Sequence, residues 1–466
     1  MVFNSFEFAV FLGIVLGVYH VAIPASAVRG RRLWILGASY FFYGSWSPPF
    51  TLLLLFSTLL DYSVGRLLER SEGRAVRRLL LGVSLLGNLG LLGYFKYGGL
   101  LTETLASMTP ASWWHGGGPH LDVLLPVGIS FYTFQTLSYA IDVYRREQPA
   151  CRSLLDFSLY VSFFPQLVAG PIVRARDFLP QLGSKHVVHA RHLEENVAAI
   201  AIGLVKKVVL ADNLAPYVDQ VFAAPGAAHA GDALLAIYAF AFQIYFDFSG
   251  YSDIAIGTAG LLGFRLPENF DRPYVSASPR EFWRRWHISL STWLRDYLYI
   301  SLGGGLRREQ RVRANLLITM LLGGLWHGAS WTFLLWGGYH GALLVAQRVW
   351  TARFPGTYRP PRFLLQMATF HLVCLGWLLF RAADFATVGS MLAALGRPGL
   401  TLQVDVLRTG MLVLLAAGLH AIDEPLCLRR RIAGLAPAAQ GLAYAGLALL
   451  LYVFGVSSQQ FIYFQF

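Results

Sequence analysis

ANLLITMLLGGLWHGASWTFLLWGGYHGALLVAQ, residues 314–347, decides the fold: 34 mostly apolar positions, with Arg311 and Arg313 before them and Arg348 and Arg353 after. As one α-helix rising ~1.5 Å per residue it would measure roughly 51 Å, too long for the ~30 Å hydrocarbon core of a bilayer. Arginine collects on the cytoplasmic side of membrane proteins, so both ends belong on that side. The stretch therefore reads as a hairpin or a buried helix pair.

Working outward, the composition agrees. Hydrophobic residues make up 55% of the 466 and charged residues only 14%, against roughly a quarter charged in soluble domains. Mean hydropathy is +0.50. Disorder, a collagen, a secreted disulfide scaffold and a nucleic-acid binder are excluded as primary readings; the chain reads as an all-α polytopic membrane protein. Net charge is +12, and of the 38 basic residues all but Lys96, Lys185, Lys206 and Lys207 are arginine. They sit in loops between apolar runs, as positive-inside topology and contact with anionic lipid or phosphate require. Cys151, Cys374 and Cys427 form no spaced pair, so neither a disulfide framework nor a zinc site is indicated.

Loop charges give a topology. The first apolar run (Phe6 to Ile23) has no basic flank before it and no small-residue cleavage site after it, and reads as a retained helix. Arg29, Arg31 and Arg32 place the next loop inside and the N-terminus outside. The second span ends at Ser47-Pro48-Pro49 outside, and the third reaches Arg66, Arg70, Arg74, Arg77 and Arg78 inside. Residues 99–121, without Lys or Arg, are expected outside, and the fifth span returns at Arg145, Arg146 and Arg152. Leu154 to Gly170 is apolar between arginines on both sides and is interrupted at Pro165 and Gly170-Pro171. Such a segment enters and leaves on one face, and broken backbone at that depth is tolerated only inside protein or beside a cavity. A span near 193–211, an external loop from Asp212 to Asp232, and a returning run from Ala233 to Phe264 follow. Residues 265–313 are the longest basic region, and spans near 363–380, 405–422 and 437–456 bring the C-terminus outside. About ten crossings plus re-entrant parts result, in a single integral membrane domain over 1–466 with no repeat or linker.

Ionisable groups inside such a chain are costly and are functional candidates by default. In the block from Phe282 to Tyr297, apolar or aromatic residues recur at 283, 286, 290, 293/294 and 297, with His287 on that face and Arg284 and Arg285 off it. That spacing is helical, and it suits an interfacial amphipathic helix with a tryptophan belt equally well. In Gly323-Gly324-Leu325-Trp326-His327-Gly328, His327 lies far from either charged end. Burial favours its neutral form, and a neutral imidazole is what a general base requires, although a buried histidine bonded to a carbonyl looks the same in sequence. The neighbouring glycines permit close approach of a substrate or a helix. His340 follows 13 residues later; on one continuous helix it would lie ~20 Å away on a different face, and is expected to be structural unless the helix breaks. Asp247 and Asp253 are intramembrane acids open to three roles: orienting a base, pairing with an arginine, or positioning helices. His186, His189 and His192 lie in a polar stretch, and no metal site is expected. No Gly-x-Ser-x-Gly elbow or His-Glu-x-x-His pair appears.

Taken together, Phe164 to Ile172, Tyr245 to Asp253, Pro267-Glu268-Asn269-Phe270, Phe282 to Tyr299, Trp326-His327-Gly328 and the terminal segments resemble the membrane-bound O-acyltransferase family. The likeness is strongest to its bacterial branch, which holds the membrane subunit of alginate O-acetylation and the teichoic-acid D-alanyl transfer protein. It implies a ring of about ten transmembrane helices plus re-entrant helices around a central tunnel, with His327 catalytic and His287 the second polar residue of the site. Trp326, Trp286, Ser289, Arg284, Arg285 and Asp296 are the candidate substrate-binding residues, with Arg307 and Arg308 as further receivers of coenzyme A phosphates; ordinary positive-inside charge accounts for any one of these arginines as well. His287 or a backbone N–H is the candidate for holding the oxyanion.

The resemblance implies transfer of acetyl from cytoplasmic acetyl-CoA, a substrate and not a resident cofactor, across a bacterial inner membrane to a hydroxyl acceptor. A periplasmic acetyltransferase partner and an exopolysaccharide are the expected recipients. D-alanyl transfer from a carrier-protein thioester is the alternative within the family. A transporter or channel without covalent chemistry is the alternative outside it, and the absence of repeat symmetry weighs against that one.

Overall fold

The computed structural model describes residues 1–109, 124–168, 170–183, 190–305, 308–354, 360–400, 404–423, 427–455 and 462. The expectations resting on Arg307, His186, His189 and residues 110–121 fall outside them. Among the described residues there is no strand, and six helices are long and apolar enough to cross a bilayer. The protein is an all-α polytopic membrane protein. Its chain forms two compact units, one of residues 1–193 with 258–267 and one of residues 194–257 with 268–466.

In the first unit, α1 (Phe6–Gly17), α2 (Val28–Gly44), α3 (Pro48–Arg70) and α4 (Arg74–Leu92) follow the expected spans, and α1 is prolonged by a π-helical turn, Val18–Ala22. A second π turn, Gly93–Tyr97, carries α4 into α5 (Gly98–Met108). The first part of the expected external loop is therefore helix: nothing between Leu92 and Thr102 breaks the backbone ladder except glycines, which a helix tolerates. α6 (Ile129–Arg145) is almost wholly buried. It packs closely on α3, where a Cβ at Gly65 would overlap the Tyr139 ring.

Leu154 to Gly170 is broken as expected, into α7 (Leu154–Ser162) and α8 (Phe164–Leu167), with the break at the buried Phe163. The backbone groups freed at the break are met from within the protein. Phe164 N–H donates to Ser39 Oγ (3.2 Å), and Gln166 Nε2 donates to the Tyr160 carbonyl (2.7 Å). α9 (Ala175–Leu182) completes the unit.

The second unit begins with α10 (Ala190–Leu204), which runs through a π segment, Val205–Ala211, into α11 (Asp212–Ala223). The expected external loop at Asp212 is thus helical. Asp212 is buried and its carboxylate pairs with Lys207 at 2.7 Å, so its charge serves the interior. α12 (Ala230–Leu261) packs against α10 through glycines, with a Cβ at Gly203 falling 2.6 Å from the Gly250 carbonyl and one at Gly257 2.6 Å from that of Asn196.

The basic region then folds into two short helices, α13 (Pro279–Arg285) and α14 (Ile288–Trp293), and a π turn, Leu294–Tyr299. Residues 314–347 are the hairpin the arginines required: α15 (Glu309–His327) and α16 (Trp331–Arg353), joined by Gly328-Ala329-Ser330. α17 (Arg362–Arg381), α18 (Phe385–Leu395), α19 (Val404–Ile422), α20 (Cys427–Ala433) and α21 (Pro437–Phe454) close the chain.

In the first unit the buried Asp61 of α3 accepts from Ser84 Oγ (2.5 Å) and Asn88 Nδ2 (2.7 Å) of α4, while Thr136 of α6 donates to Asn88 Oδ1 (3.3 Å). Asp61→Ala leaves both α4 donors without their acceptor, at a cost of about 1–3 kcal/mol each. A fall of several degrees in the melting temperature of the detergent-purified protein is expected, with little recovery in Asp61→Leu.

Candidate active site

His327 is the last residue of α15 and is 3% exposed. Three rings stand edge-on to its imidazole: Trp326 at 5.0 Å, Trp336 of α16 at 5.0 Å and Phe380 of α17 at 5.4 Å. The hairpin turn makes this box. Ser330 Oγ caps α16 by accepting from Thr332 N–H (3.2 Å), which starts the chain back along α15. Glycines then let the two helices close up. A Cβ at Gly324 would overlap the Phe333 carbonyl, and one at Gly337 would overlap that of Met320.

His287 also neighbours Trp326, with ring centroids 6.0 Å apart, and is fully buried. Trp326 thus bridges the two candidate catalytic histidines. The apolar spacing predicts one helix over 283–297, but α13 stops at Arg285 and His287 takes the left-handed conformation (φ 41°, ψ 58°) before α14 begins. Asn269 dictates that break. Its side-chain oxygen meets His287 Nδ1 (3.1 Å), Ser289 N–H (3.2 Å) and Ser289 Oγ (2.9 Å), and its backbone carbonyl accepts from Ile288 N–H (2.9 Å). Ser289, singled out for substrate, is held by this asparagine. Burial pushes the His287 imidazole down to about 3, so it is neutral at physiological pH.

His340 is closer to the site than a continuous helix would place it. Because the chain turns at Gly328, His340 comes back beside Trp336 (4.9 Å), the ring that His327 also touches, and Trp283 (5.2 Å). Gly376 of α17 makes room for it, since a Cβ there would lie 2.6 Å from His340 Nε2. Trp286 is fully buried and packs on Trp377 (4.7 Å), forming wall. Trp377 and Phe380, which complete the enclosure, carry no motif in the sequence; only their aromatic character within an apolar span hints at them.

The arginines separate by their neighbours. Arg285 is committed to Asp271 (3.0 Å) and Glu281 (3.2 Å), and Asp296 to Arg295 (2.6 Å). Arg284 instead lines a cavity of about 810 Å³ that runs along α15 from Glu309 to Met320. Arg280, Arg295 and Arg348 line it too, with Trp283 and Tyr299 as its aromatic faces and Glu309 its one carboxylate. Arg308 is exposed at the start of α15 and does not line it. His327 lies seven residues beyond Met320, ~11 Å along the helix axis. Trp283 and Trp336, 5.7 Å apart, stand between the cavity and the histidine box.

Asp247 and Asp253 prove to be ion partners. Asp253 pairs with Lys206 (2.8 Å) and with Arg429, which also bonds Glu268 (2.8 Å). Lys206 also meets Asp423 (2.6 Å), and Lys207 bridges Asp212 and Asp247, each at 2.7 Å. The sequence signals for this network are the two intramembrane acids and a pair of lysines set in an apolar run. Among the described residues no group of three or more His, Cys, Asp or Glu could hold a metal ion.

The sequence profile of the membrane-bound O-acyltransferase family matches residues 145–388. A probable alginate O-acetylase of Azotobacter vinelandii is 45% identical over 403 residues, covering 85% of this chain and 78% of the relative. A probable alginate O-acetylase of Pseudomonas aeruginosa is 43% identical over 447 residues, 91% of this chain and 83% of the relative. A peptidoglycan O-acetyltransferase of Helicobacter pylori is 37% identical over 382 residues, 76% of this chain and 71% of the relative.

The glycine contacts that set the hairpin predict a contrast. Gly337→Leu drives a side chain into the Met320 carbonyl, whereas a Cβ at Gly338 meets only the flexible end of Leu321 at 3.3 Å. Overpacking costs about 1–3 kcal/mol. Thermal unfolding in detergent is expected to show a clear loss for Gly337→Leu and almost none for Gly338→Ala.

Proposed function

The chain belongs to the membrane-bound O-acyltransferase family, and on that premise we propose that it moves acetyl from acetyl-CoA to a hydroxyl acceptor, with His327 as general base. The observation that carries this reading is one helix, α15, along which an arginine-rich cavity leads toward a buried histidine in an aromatic box. Arg280, Arg284, Arg295 and Arg348 suit the phosphates of a nucleotide-bearing donor, and Trp283 and Tyr299 offer faces for its adenine. The thin acyl-bearing arm then passes Trp283 and Trp336 to bring the thioester to His327.

At the histidine the steps balance. The neutral imidazole takes the proton of the acceptor hydroxyl, and the oxygen forms a bond to the thioester carbon. The tetrahedral oxyanion collapses, the carbon–sulfur bond breaks, and the thiolate leaves with the proton returned by the imidazolium. An O-acetyl ester and a free thiol result. The aromatic box excludes water, which would otherwise hydrolyse the thioester.

The relatives' names point to polysaccharides as final recipients, alginate in two cases and peptidoglycan in the third. An exopolysaccharide of the alginate type, reached through a periplasmic acetyltransferase partner, fits this chain best. The corresponding setting is a bacterial inner membrane with both termini periplasmic and the arginine-lined cavity cytoplasmic, a placement its four arginines support. Since all three of these relatives are named for O-acetyl transfer, acetyl is preferred to D-alanyl as the group moved.

Acetyl-CoA turnover with His327→Gln protein of unchanged melting temperature is the test, and at least a 10²-fold loss in kcat is expected. Normal turnover overturns the assignment of the base. Arg284→Glu is expected to raise KM for acetyl-CoA about tenfold while leaving KM for acetyl-pantetheine, which lacks the nucleotide phosphates, unchanged. Turnover of an acylated carrier protein but not of acetyl-CoA overturns the choice of donor.

A further inference from the structure

We propose that Asn269 is the positioning residue that fixes which nitrogen of His287 carries the proton, making His287 a hydrogen-bond acceptor toward the hydroxyl substrate and not the donor that holds the oxyanion. The chemical role rests on the acyl-transfer reading; the tautomer does not.

The two ends of an asparagine amide differ only in what they can bond, so the neighbours decide which is which. Three groups converge on one end of Asn269: His287 Nδ1, Ser289 Oγ and the backbone nitrogen of Ser289. A backbone N–H can only donate. The atom it meets is therefore the carbonyl oxygen, and the amide nitrogen is the other end, which donates to Ser252 Oγ at 3.3 Å. The oxygen in turn can only accept, so His287 Nδ1 bears a hydrogen. A neutral imidazole has one N–H, and His287 Nε2 then carries the lone pair.

Two further observations hold the ring in that state. His287 is fully buried and its Nδ1 partner is an amide, not a carboxylate that would favour a second proton. The ring is also fixed in orientation, because Asn269 binds all three residues 287–289 through its side chain and its backbone carbonyl. This explains why a non-glycine residue keeps a left-handed backbone at this point. Phe248 closes the ring's flank edge-on at 4.6 Å.

The consequence is a division of labour across Trp326. With its one proton given to Asn269, a neutral His287 has none to offer an oxyanion. It receives one instead, from a hydroxyl of the acceptor, and orients that substrate toward His327. The oxyanion finds its donor elsewhere, among backbone N–H groups.

Nitrogen-15 NMR of histidine-labelled, full-length protein in nanodiscs tests this, with the His287 signals identified by their loss in His287→Gln. The expected wild-type spectrum has a protonated Nδ1 and an unprotonated Nε2 at position 287. Asn269→Asp keeps Nδ1 protonated and, through its carboxylate, favours a second proton on Nε2, whereas Asn269→Leu mixes or reverses the pattern. In turnover, Asn269→Leu is expected to raise KM for the hydroxyl acceptor about tenfold, with KM for acetyl-CoA unchanged. A protonated Nε2 in the wild type, or an unaltered pattern in Asn269→Leu, overturns the proposal. If the tautomer is as stated and no acetyl transfer is found, the catalytic reading has failed and the positioning has not.

Discussion

Inside an apolar medium every polar group must find its partner on the chain itself, because no water is there to substitute. That constraint organises this protein more than any hydrophobic contact does, since apolar side chains gain little by leaving lipid for one another. Its effects are visible wherever the helices depart from regularity. The break at Phe163 is held by Ser39 and Gln166. The π segment that carries Lys206 and Lys207 places both ammonium groups on carboxylates of α12. Pairs of this kind fix geometry more than they add stability: removing one partner strands a buried charge, which is the expensive case. Asn269 is the same device applied to a turn, with one side chain and one carbonyl meeting four donors.

The parts of the fold that were legible in sequence are those that obey long-range charge rules. Arginine at both ends of residues 314–347 pointed to a hairpin or a buried helix pair, and arginine around residues 154–170 to a broken segment that turns back. The hairpin and the break are both there. The break at His287 was not legible, because apolar positions at 283, 286, 290 and 293 suit two short helices in line as well as one long one. What decides between them is an asparagine 18 positions upstream, and a periodicity taken within one window contains no term for it. Asp212 misled for a related reason: an acid at the edge of an apolar run resembles a loop until its lysine is known. His340 depended on a turn at Gly328 that sequence allowed but did not impose.

Glycine and tryptophan divide the task of building the aromatic box. Tryptophan is large and rigid and fills space around an imidazole without presenting a charge; glycine lets the helices that carry those rings come close enough for them to meet. Gly324 and Gly337 face each other across the hairpin, and the rings of Trp326 and Trp336 flank His327 as a result. Neither residue type explains the box alone. An imidazole in such a place is kept from bulk water, and that follows from this pairing.

Arg284 and Arg285 show how one composition serves two ends. Adjacent residues on a helix point ~100° apart, so the two guanidinium groups meet different surroundings although the sequence treats them alike. Arg285 turns to Glu281, four residues back, and to Asp271, and is neutralised there. Arg284 turns into the cavity beside α15, where Glu309 is the one acid and is already shared with Arg348 and Arg313. The uncompensated charge of α13 therefore gathers in the cavity beside α15. Positive charge placed for topology is left open wherever the fold withholds the matching carboxylate. That withholding, not the number of arginines, is what separates Arg284 from its neighbour.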